Sequence, residues 1–146
     1  MCIRDSSSGM LEEAKTKLEA ASPWRSFSQV KLELMDASAM DEFAEDSFDT
    51  VQSTFSFCVF DEPEKVMREM KRVVRPNGKV VLLENSRSIL GPLAAIQDFT
   101  EPIVTPLSKN CRWNVNVPKL AKEAGLKLEK SDTAQAGTIF YGVYSK

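Results

Sequence analysis

The sequence predicts an α/β domain with a mostly parallel sheet, helices on both faces of that sheet and an antiparallel hairpin at the end of the chain. Three observations support this fold class. Helix-like and strand-like segments alternate along the sequence, and the turn signal Pro76-Asn77-Gly78 separates an amphipathic helix from a continuous apolar run. The last two strand-like segments are joined only by residues 131–137, which are too few for a parallel crossover and therefore indicate a hairpin.

The composition fits one globular domain and excludes several classes of protein. The chain has 146 residues, of which 42% are hydrophobic and 27% are charged. Its formal net charge of -2 lacks the basic excess of nucleic-acid-binding proteins, so we expect no nucleic-acid partner. The absence of histidine excludes Ser-His-Asp and Cys-His nucleophile systems and histidine-ligated zinc.

Cysteine usage and hydropathy bear on the compartment. Cys2, Cys58 and Cys111 are odd in number and far apart along the sequence, which predicts neither a disulfide framework nor a metal site. We therefore expect an intracellular, reducing compartment. No apolar run approaches the ~18 residues of a membrane-spanning helix, so any membrane contact is expected to be peripheral.

The first part of the chain has the pattern of a helix followed by a strand. Residues 8–21 carry an apolar helical face, with Ser8 placed to cap the helix and Ser22-Pro23 placed to end it. Residues 30–35 alternate apolar and polar side chains, which predicts a strand with one solvated face, near a sheet edge.

A second strand and a well-marked helix start follow an acidic loop at residues 41–46. The apolar and aromatic segment after this loop predicts a strand that ends near Ser53 or Thr54. Asp61 is placed to cap the next helix, and Glu64 is placed to reach back to the cap.

The predicted helix leads into a buried strand. Its apolar positions form one stripe, which comprises Val66, Met67, Met70, Val73 and Val74. The unbroken apolar run Val80-Val81-Leu82-Leu83 is typical of a strand that is covered on both faces.

The last part of the chain contains an interrupted apolar segment and two further strands. Prolines and a glycine break up residues 89–107, which predicts a short helix followed by an irregular cap over the sheet edge. Residues 116–124 predict a short helix that stops at Gly125. Residues 126–130 alternate like an edge strand, and residues 138–144 are rich in β-branched and aromatic side chains.

Three segments resemble those of one enzyme family. Residues 7–15 (SSGMLEEAK) are similar to the helix after the second strand of class I S-adenosylmethionine-dependent methyltransferases. Residues 48–51 (FDTV) resemble the fourth strand of that family, and residues 67–79 (MREMKRVVRPNGK) resemble the helix and turn that precede its fifth strand. The resemblance implies a Rossmann-like fold, S-adenosylmethionine as cofactor and methyl transfer as the reaction.

Two further segments are similar to those of a narrower group. Residues 83–88 (LENSRS) and 111–114 (CRWN) resemble methyltransferase-like proteins that include a mitochondrial inner-membrane member and are related to quinone-ring methyltransferases. This resemblance implies a small or lipid-like acceptor and allows a mitochondrial location. The sequence departs from the group at Asn85, where histidine is expected, and from the family in lacking the glycine-rich cofactor loop.

These departures predict how the chain is organised. Residues 1–6 (MCIRDS) resemble the translation of a sequencing-library adapter, so we expect a leader that is foreign to the protein. We expect residues 7–146 to be the C-terminal part of a single methyltransferase domain. Without the glycine-rich loop, this part alone is expected to bind the cofactor weakly and to be inactive.

The resemblance assigns five candidate cofactor-binding residues. Asp36 and Ala37 follow a strand and suit adenine, because a carboxylate accepts from the amine and a backbone N–H donates to the ring. The alternative is a loop aspartate that caps the next turn. Asp5 stands where the family places the acid that binds the ribose hydroxyls, or it belongs to the foreign leader. Ser53 and Thr54 lie at the carboxyl end of a strand, where open α/β sheets bind ligands, or they make ordinary strand-end hydrogen bonds.

Several other side chains have two interpretations. Glu84 either faces the cofactor or acceptor, or pairs with Arg87 or Arg112. Residues 111–114 either hold an aromatic or lipid-like acceptor or, the interpretation we favour, clamp the cap to the sheet. Cys58 is expected to be a small buried hydrophobe. Three aromatic side chains either line an acceptor pocket or belong to the core, namely Phe55, Phe57 and Phe60.

Methyl transfer from a sulfonium is an in-line displacement, so most of its catalysis is placement of the reactants and no catalytic residue is predicted. The sequence thus predicts an S-adenosylmethionine-dependent methyltransferase that acts on a small or lipid-like acceptor. The alternative is a non-catalytic, membrane-peripheral assembly factor that keeps the fold, and a nucleotide-binding oxidoreductase comes third.

Overall fold

A computed structural model describes residues 2–5, 7–20 and 30–146, which form two compact units. The first unit extends to Glu42 and the second begins at Phe43. Each unit has a sheet of its own, with two strands in the first and four in the second.

The first unit contains a parallel strand pair joined through a helix. Strands β1 (Cys2–Asp5) and β2 (Lys31–Leu34) run in parallel, and helix α1 (Ser8–Ala20) lies between them in the sequence. The predicted strand at residues 30–35 is confirmed as β2. The predicted helix end at Ser22-Pro23 lies outside the described residues.

The capping residue of α1 differs from the prediction. Ser8 is the first helical residue, and the Ser7 hydroxyl accepts a hydrogen bond from the Met10 N–H at 3.4 Å. The cap is therefore Ser7, because a capping side chain must come from the residue just outside the helix.

The second unit carries most of the fold. Its helices and strands are, in chain order, β3 (Phe48–Thr54), α2 (Pro63–Val73), β4 (Val74–Asn85), α3 (Gly91–Leu107), α4 (Val117–Glu123), β5 (Lys127–Ala134) and β6 (Ile139–Ser145). The strand order is β3-β4-β6-β5, in which β3 and β4 are parallel and β6 is antiparallel to both β4 and β5. The predicted α/β class and the final antiparallel hairpin are confirmed.

The connection in this hairpin is tighter than the sequence predicted. Strand β5 continues through Ala134, so only a short helical turn, Gln135–Gly137, and Thr138 separate it from β6. All three residues of this turn have positive φ, with Gly137 at 83°. The polar side chains of β5 are exposed, as expected for an edge strand.

A cap at Asp61 predicts that helix α2 begins at Glu62, but the helix begins one residue later. Pro63 is the first helical residue and Glu62 is the N-cap, so the prediction that Asp61 caps the helix is wrong. The Glu62 side chain makes no cap hydrogen bond and pairs with Lys65 at 2.6 Å instead. The predicted apolar stripe is buried, although Val74 belongs to β4 and not to the helix.

The Pro76-Asn77-Gly78 signal forms an irregularity inside β4 and not a turn between two elements. Phe48 lies opposite Val74, but Thr50 lies opposite Lys79, so β4 contains extra residues here. A Cβ atom on Gly78 would lie 2.7 Å from the Asp49 carbonyl oxygen. The close approach of the two strands therefore requires glycine at this position.

Strand β4 is central in its sheet and supplies much of the core. It pairs with β3 on one side and β6 on the other, and its side chains alternate between buried and half-buried. The unbroken apolar run predicted a strand buried on both faces, but the face that carries Val81 and Leu83 is only half-buried. The largest fully buried apolar side chains of the unit are Phe57, Met67, Val73, Val74, Val80, Leu82 and Val117.

Residues 89–107 form one long helix, so the prediction of a short helix and an irregular cap is wrong. Helix α3 runs for 17 residues and contains Pro102 and Pro106. Each proline removes one backbone donor, but the buried Gln97 holds the helix to neighbouring segments, and such tertiary contacts override local helix breaking. Among the described residues, no helix combines the length and apolar character needed to cross a bilayer.

Candidate functional site

The carboxyl ends of β3 and β4 form the edge of the parallel strand pair in the second unit. Ser53 lies opposite Leu82, and Thr54 lies opposite Leu83. Open α/β sheets bind their ligands at such an edge, because the loops that leave the strands diverge there. The residues that follow both strands are therefore the candidate site.

Glu84 organises this edge from inside the protein. Its carboxylate has 0% exposure and accepts three hydrogen bonds. Oε1 accepts from the Ser53 hydroxyl at 2.6 Å, and Oε2 accepts from the backbone N–H groups of Ser56 at 2.8 Å and Phe57 at 3.1 Å. Burial raises the pKa of Glu84, while these three donors oppose the rise.

Neither predicted arginine partner of Glu84 is correct. Arg87 pairs with Asp98 at 2.8 Å, and the Arg112 guanidinium donates to the Phe60 carbonyl oxygen. The alternative prediction, that Glu84 faces a ligand directly, also fails, because the carboxylate is fully buried and both oxygens are bonded to the chain. Glu84 instead anchors the segment that follows β3.

This segment begins with a strained residue. Phe55 has a φ of 50°, in the left-handed region that side chains other than glycine rarely adopt. Its N–H donates to the Leu83 carbonyl oxygen at 2.9 Å, and Glu84 holds the next two residues. Backbone strain of this kind persists where neighbouring contacts enforce it, often at binding sites.

The three phenylalanines of the segment differ in position. Phe55 is 46% exposed at the strand edge, whereas Phe57 is fully buried and packs edge-to-face on Phe60 with ring centroids 5.4 Å apart. Phe57 and Phe60 therefore belong to the core, which was the alternative to an acceptor pocket. Of these three phenylalanines, only Phe55 presents an exposed ring at the site.

Ser53 and Thr54 present different groups at the edge. The Ser53 hydroxyl is already bonded to Glu84. The Thr54 side chain is exposed, and its hydroxyl accepts a hydrogen bond from the Gln52 amide at 3.2 Å. Strand-end hydrogen bonding thus accounts for Ser53, while a cofactor contact by either residue stays a prediction.

The other three candidates belong to the first unit. Asp5 ends β1 opposite Leu34, and Asp36 follows β2 two residues later, so the two strand ends lie at the same edge of that unit. The Asp36 carboxylate accepts from the Ser38 N–H at 2.8 Å, which is the turn-capping geometry of the alternative interpretation. Ala37 is half-buried in the same turn. An adenine contact by Asp36 and Ala37 stays a prediction.

Residues 111–114 act as the clamp that the sequence analysis favoured. The Arg112 N–H donates to the Cys58 carbonyl oxygen at 2.7 Å, which ties this segment to the loop after β3. The Trp113 carbonyl oxygen and the Asn114 amide bond to α3, through Gln97 at 2.7 Å and Asp98 at 3.2 Å. The clamp therefore joins α3 to the segment that Glu84 anchors.

Gln97 completes this arrangement and was missed by the sequence analysis. Its buried amide accepts from the Ser88 N–H at 2.7 Å and donates to the carbonyl oxygens of Ser86 and Trp113. The only signal in the sequence was an amide at helical spacing from Ala94, which lies three residues before it. Its partners come from two distant segments, which no local pattern reveals.

Cys58 is buried, as predicted, but it is not remote from Cys111. Its side chain is 3% exposed, and the backbone hydrogen bond from Arg112 to Cys58 holds Cys111 beside it. Burial and the neighbouring Cys111 raise the pKa of Cys58 to about 12. Separation along the sequence therefore gave a wrong picture of the distance between these two thiols.

Among the described residues, no group of three or more aspartate, glutamate, cysteine or histidine side chains could hold a metal ion.

Comparison with known proteins identifies a sequence family and its curated relatives. A sequence model described as "Methyltransferase domain" matches residues 3–82. Phosphatidylethanolamine N-methyltransferase of Cereibacter sphaeroides is 40% identical over 94 residues, which are 64% of this chain and 44% of that protein. Demethylmenaquinone methyltransferase of Renibacterium salmoninarum is 39% identical over 72 residues, which are 49% of this chain and 29% of that protein. The chain thus spans less than half the length of either relative.

Solved structures share the fold at low sequence identity. A SAM-dependent methyltransferase of Methanosarcina mazei superposes with a TM-score of 0.71 and 15% identity, covering 99% of this chain and 81% of that one. At this identity the likeness concerns the fold alone.

Proposed function

Because the chain belongs to the class I S-adenosylmethionine-dependent methyltransferase family, we propose that its domain transfers a methyl group from S-adenosylmethionine to a lipid-like acceptor. The observation that carries the proposal is the β3–β4 edge, where the buried Glu84 holds a strained segment that presents Phe55. Both curated relatives are named for lipid or quinone substrates, which supports an apolar acceptor.

We propose contacts for the polar parts of the cofactor. The exposed Asp36 carboxylate would accept from the adenine amine, and the Ala37 N–H would donate to the ring. Asp5 would bind the ribose hydroxyls from the end of β1. In the second unit, Ser53 and Thr54 are proposed cofactor contacts at the end of β3, and the Thr54 side chain is exposed there. When bound, S-adenosylmethionine supplies an electrophilic methyl group on a sulfonium centre.

We propose that Phe55 and the exposed apolar side chains of α3 position the methyl acceptor. Phe55 offers an exposed aromatic face at the edge, and the clamp joins this segment to α3. Helix α3 exposes a row of apolar side chains at helical spacing, which are Ile96, Phe99, Ile103 and Leu107. An acceptor with a long apolar portion would lie along such surfaces, and an in-line displacement then needs only correct orientation of the reacting atom.

Cofactor affinity of this chain alone is part of the proposal. The sequence lacks the glycine-rich loop whose backbone N–H groups hold the methionine end of the cofactor in the family. We therefore propose that residues 1–146 bind S-adenosylmethionine weakly and that efficient turnover requires a longer chain.

The test is transfer of labelled methyl groups to a lipid extract. The longest chain that the reading frame encodes is incubated with methyl-labelled S-adenosylmethionine and total lipids, and the label is followed into the organic phase. We expect labelled lipid with the native chain and with Glu129→Ala, an exposed control, and strongly reduced labelling with Asp36→Ala. Label that stays wholly in the cofactor would overturn the proposal and favour a non-catalytic assembly factor.

A further inference from the structure

Two cysteines that are distant in sequence meet in the second unit. The backbone of the loop after β3 and that of the clamp are joined by the hydrogen bond from the Arg112 N–H to the Cys58 carbonyl oxygen, at 2.7 Å. The preceding clamp residue, Cys111, is thereby held beside Cys58, and its proximity contributes to the raised pKa of the Cys58 thiol. Both thiols are free in the structure.

We propose that Cys58 and Cys111 are a reversible dithiol–disulfide pair that links the segment after β3 to the clamp. The backbone bridge holds the two chain segments in position before any covalent bond forms. Such a fixed arrangement favours the intramolecular reaction of two thiols over reaction with separate molecules. The proposal concerns the fold and does not depend on the methyltransferase activity.

The burial of the two thiols sets the order of the reaction. Cys111 is half-buried, whereas Cys58 is 3% exposed, so a small oxidant reaches Cys111 first. The oxidant we invoke is a low-molecular-weight disulfide such as oxidised glutathione. The Cys111 thiolate attacks one of its sulfur atoms, a mixed disulfide forms, and one glutathione thiolate leaves.

The second step closes the bond within the chain. The Cys58 thiol loses its proton and attacks the Cys111 sulfur of the mixed disulfide, and the second glutathione leaves as a thiolate that takes up a proton. Two protein thiols are thus oxidised to one disulfide, and one glutathione disulfide is reduced to two glutathione molecules. An excess of reduced glutathione drives both steps backwards.

The surroundings of Cys58 favour the protonated thiol in the reduced protein. Burial raises the pKa of Cys58 to about 12, the neighbouring Cys111 and the charge of Glu84 add to the rise, and Asn85 opposes it. Closure of the bond therefore depends on the proximity of the two segments, which the backbone hydrogen bond between Arg112 and Cys58 provides.

The bond would act directly on the candidate site. Cys58 follows Phe57, whose N–H is held by Glu84, and Cys111 precedes the clamp residues that hold α3. A disulfide between them would fix the segment after β3 against the clamp. It would also constrain the unfolded chain, because it closes a long loop. The oxidised protein should therefore unfold at a higher denaturant concentration.

The experiment equilibrates the full chain in mixtures of oxidised and reduced glutathione, blocks the remaining thiols and maps disulfides by mass spectrometry without reduction. We expect a cross-link between the peptides that carry Cys58 and Cys111, with the loss of two hydrogens, in the native chain and in the control Cys2→Ser. Excess reduced glutathione should remove it. In Cys58→Ser, glutathione should remain on Cys111, and in Cys111→Ser, Cys58 should stay unmodified.

A second measurement compares urea unfolding of the oxidised and reduced forms of Cys2→Ser. We expect a higher unfolding midpoint in the oxidised form and no such shift in Cys58→Ser. Glutathione that stays on Cys111 of the native chain at every ratio, without a cross-link to Cys58, would overturn the proposal. Cross-links found only between separate chains would do the same.

Discussion

The Ser53 hydroxyl donates a 2.6 Å hydrogen bond to Oε1 of the buried Glu84, which joins the carboxyl ends of β3 and β4. The second oxygen of the same carboxylate holds the backbone of the segment that follows β3. One buried acid thus fixes the edge at which we place the methyl-transfer site.

Loss of the Ser53 hydroxyl should destabilise the protein, because Glu84 loses a hydrogen-bond donor. In Ser53→Ala, Oε1 of a fully buried carboxylate loses the partner it has in the structure, which should lower the free energy of unfolding by about 1–3 kcal/mol. Thr54→Ala, at the next and exposed position, is the matched control and should change it by less than about 0.5 kcal/mol. Urea denaturation measures both, and equal effects would show that the bond to Glu84 contributes nothing.

Protonation of Glu84 should appear in the pH dependence of stability. Its pKa is raised above 4.5 in the folded protein, so the folded state binds a proton more tightly than the unfolded state. This contribution to the free energy of unfolding is present in full below pH 4.5 and is lost as pH rises through the folded-state pKa.

Glu84→Gln isolates that contribution, because glutamine does not titrate. The stability of the native chain relative to Glu84→Gln should fall as pH rises above about 4.5, as measured by urea unfolding. The exposed Glu64→Gln should give no such trend. A relative stability that rises with pH would mean that the three hydrogen bonds outweigh burial.

The irregularity in β4 should tolerate no side chain at Gly78. A Cβ atom there would lie 2.7 Å from both the Asp49 carbonyl oxygen and Cγ2 of Val74, so Gly78→Ala should destabilise the protein by about 1–3 kcal/mol. At Gly91, no atom lies within 4 Å of the added Cβ, and Gly91→Ala should leave stability unchanged or slightly raised. Thermal or urea unfolding measures the stability of both variants. Similar stabilities would refute the close approach of the Asp49 and Val74 atoms to Gly78.

The Tyr144 hydroxyl is a buried polar group without a hydrogen-bond partner, and burial raises its pKa to about 12. Tyr144→Phe removes the desolvated hydroxyl and keeps the ring, so stability should rise by about 1 kcal/mol. Tyr141→Phe, on the same strand but half-buried, should have a smaller effect. A marked loss of stability in Tyr144→Phe would indicate a partner that binds this hydroxyl.

Local patterns predicted much of the fold. Alternation at residues 30–35, the apolar run in β4 and the short connection before β6 each act over a few residues, and the corresponding strands are confirmed. Helix α3 was predicted wrongly, and the buried Gln97 that attaches it to Ser88 and Trp113 makes contacts outside the helix, which no local pattern reveals. Proline content alone indicated a break there.

The candidate site was predictable only in part. The position of Glu84 at a strand end could be inferred, but its partners are backbone N–H groups of Ser56 and Phe57, which carry no sequence signal. The contact between Cys58 and Cys111 likewise depends on a long-range backbone hydrogen bond. Contacts of this kind follow from tertiary packing and not from local periodicity.

The most direct test of the account is to map where S-adenosylmethionine binds, by titrating it into the isotopically labelled chain and following backbone amide resonances. We predict weak, saturable shifts at Asp36 and Ala37, which are abolished in Asp36→Ala, and at Ser53 and Thr54, and we expect all of them to be retained in the exposed control Glu129→Ala. Saturable shifts that leave both pairs of residues unaffected, or that appear with a nicotinamide dinucleotide and not with S-adenosylmethionine, would contradict methyl-donor contacts at these strand ends.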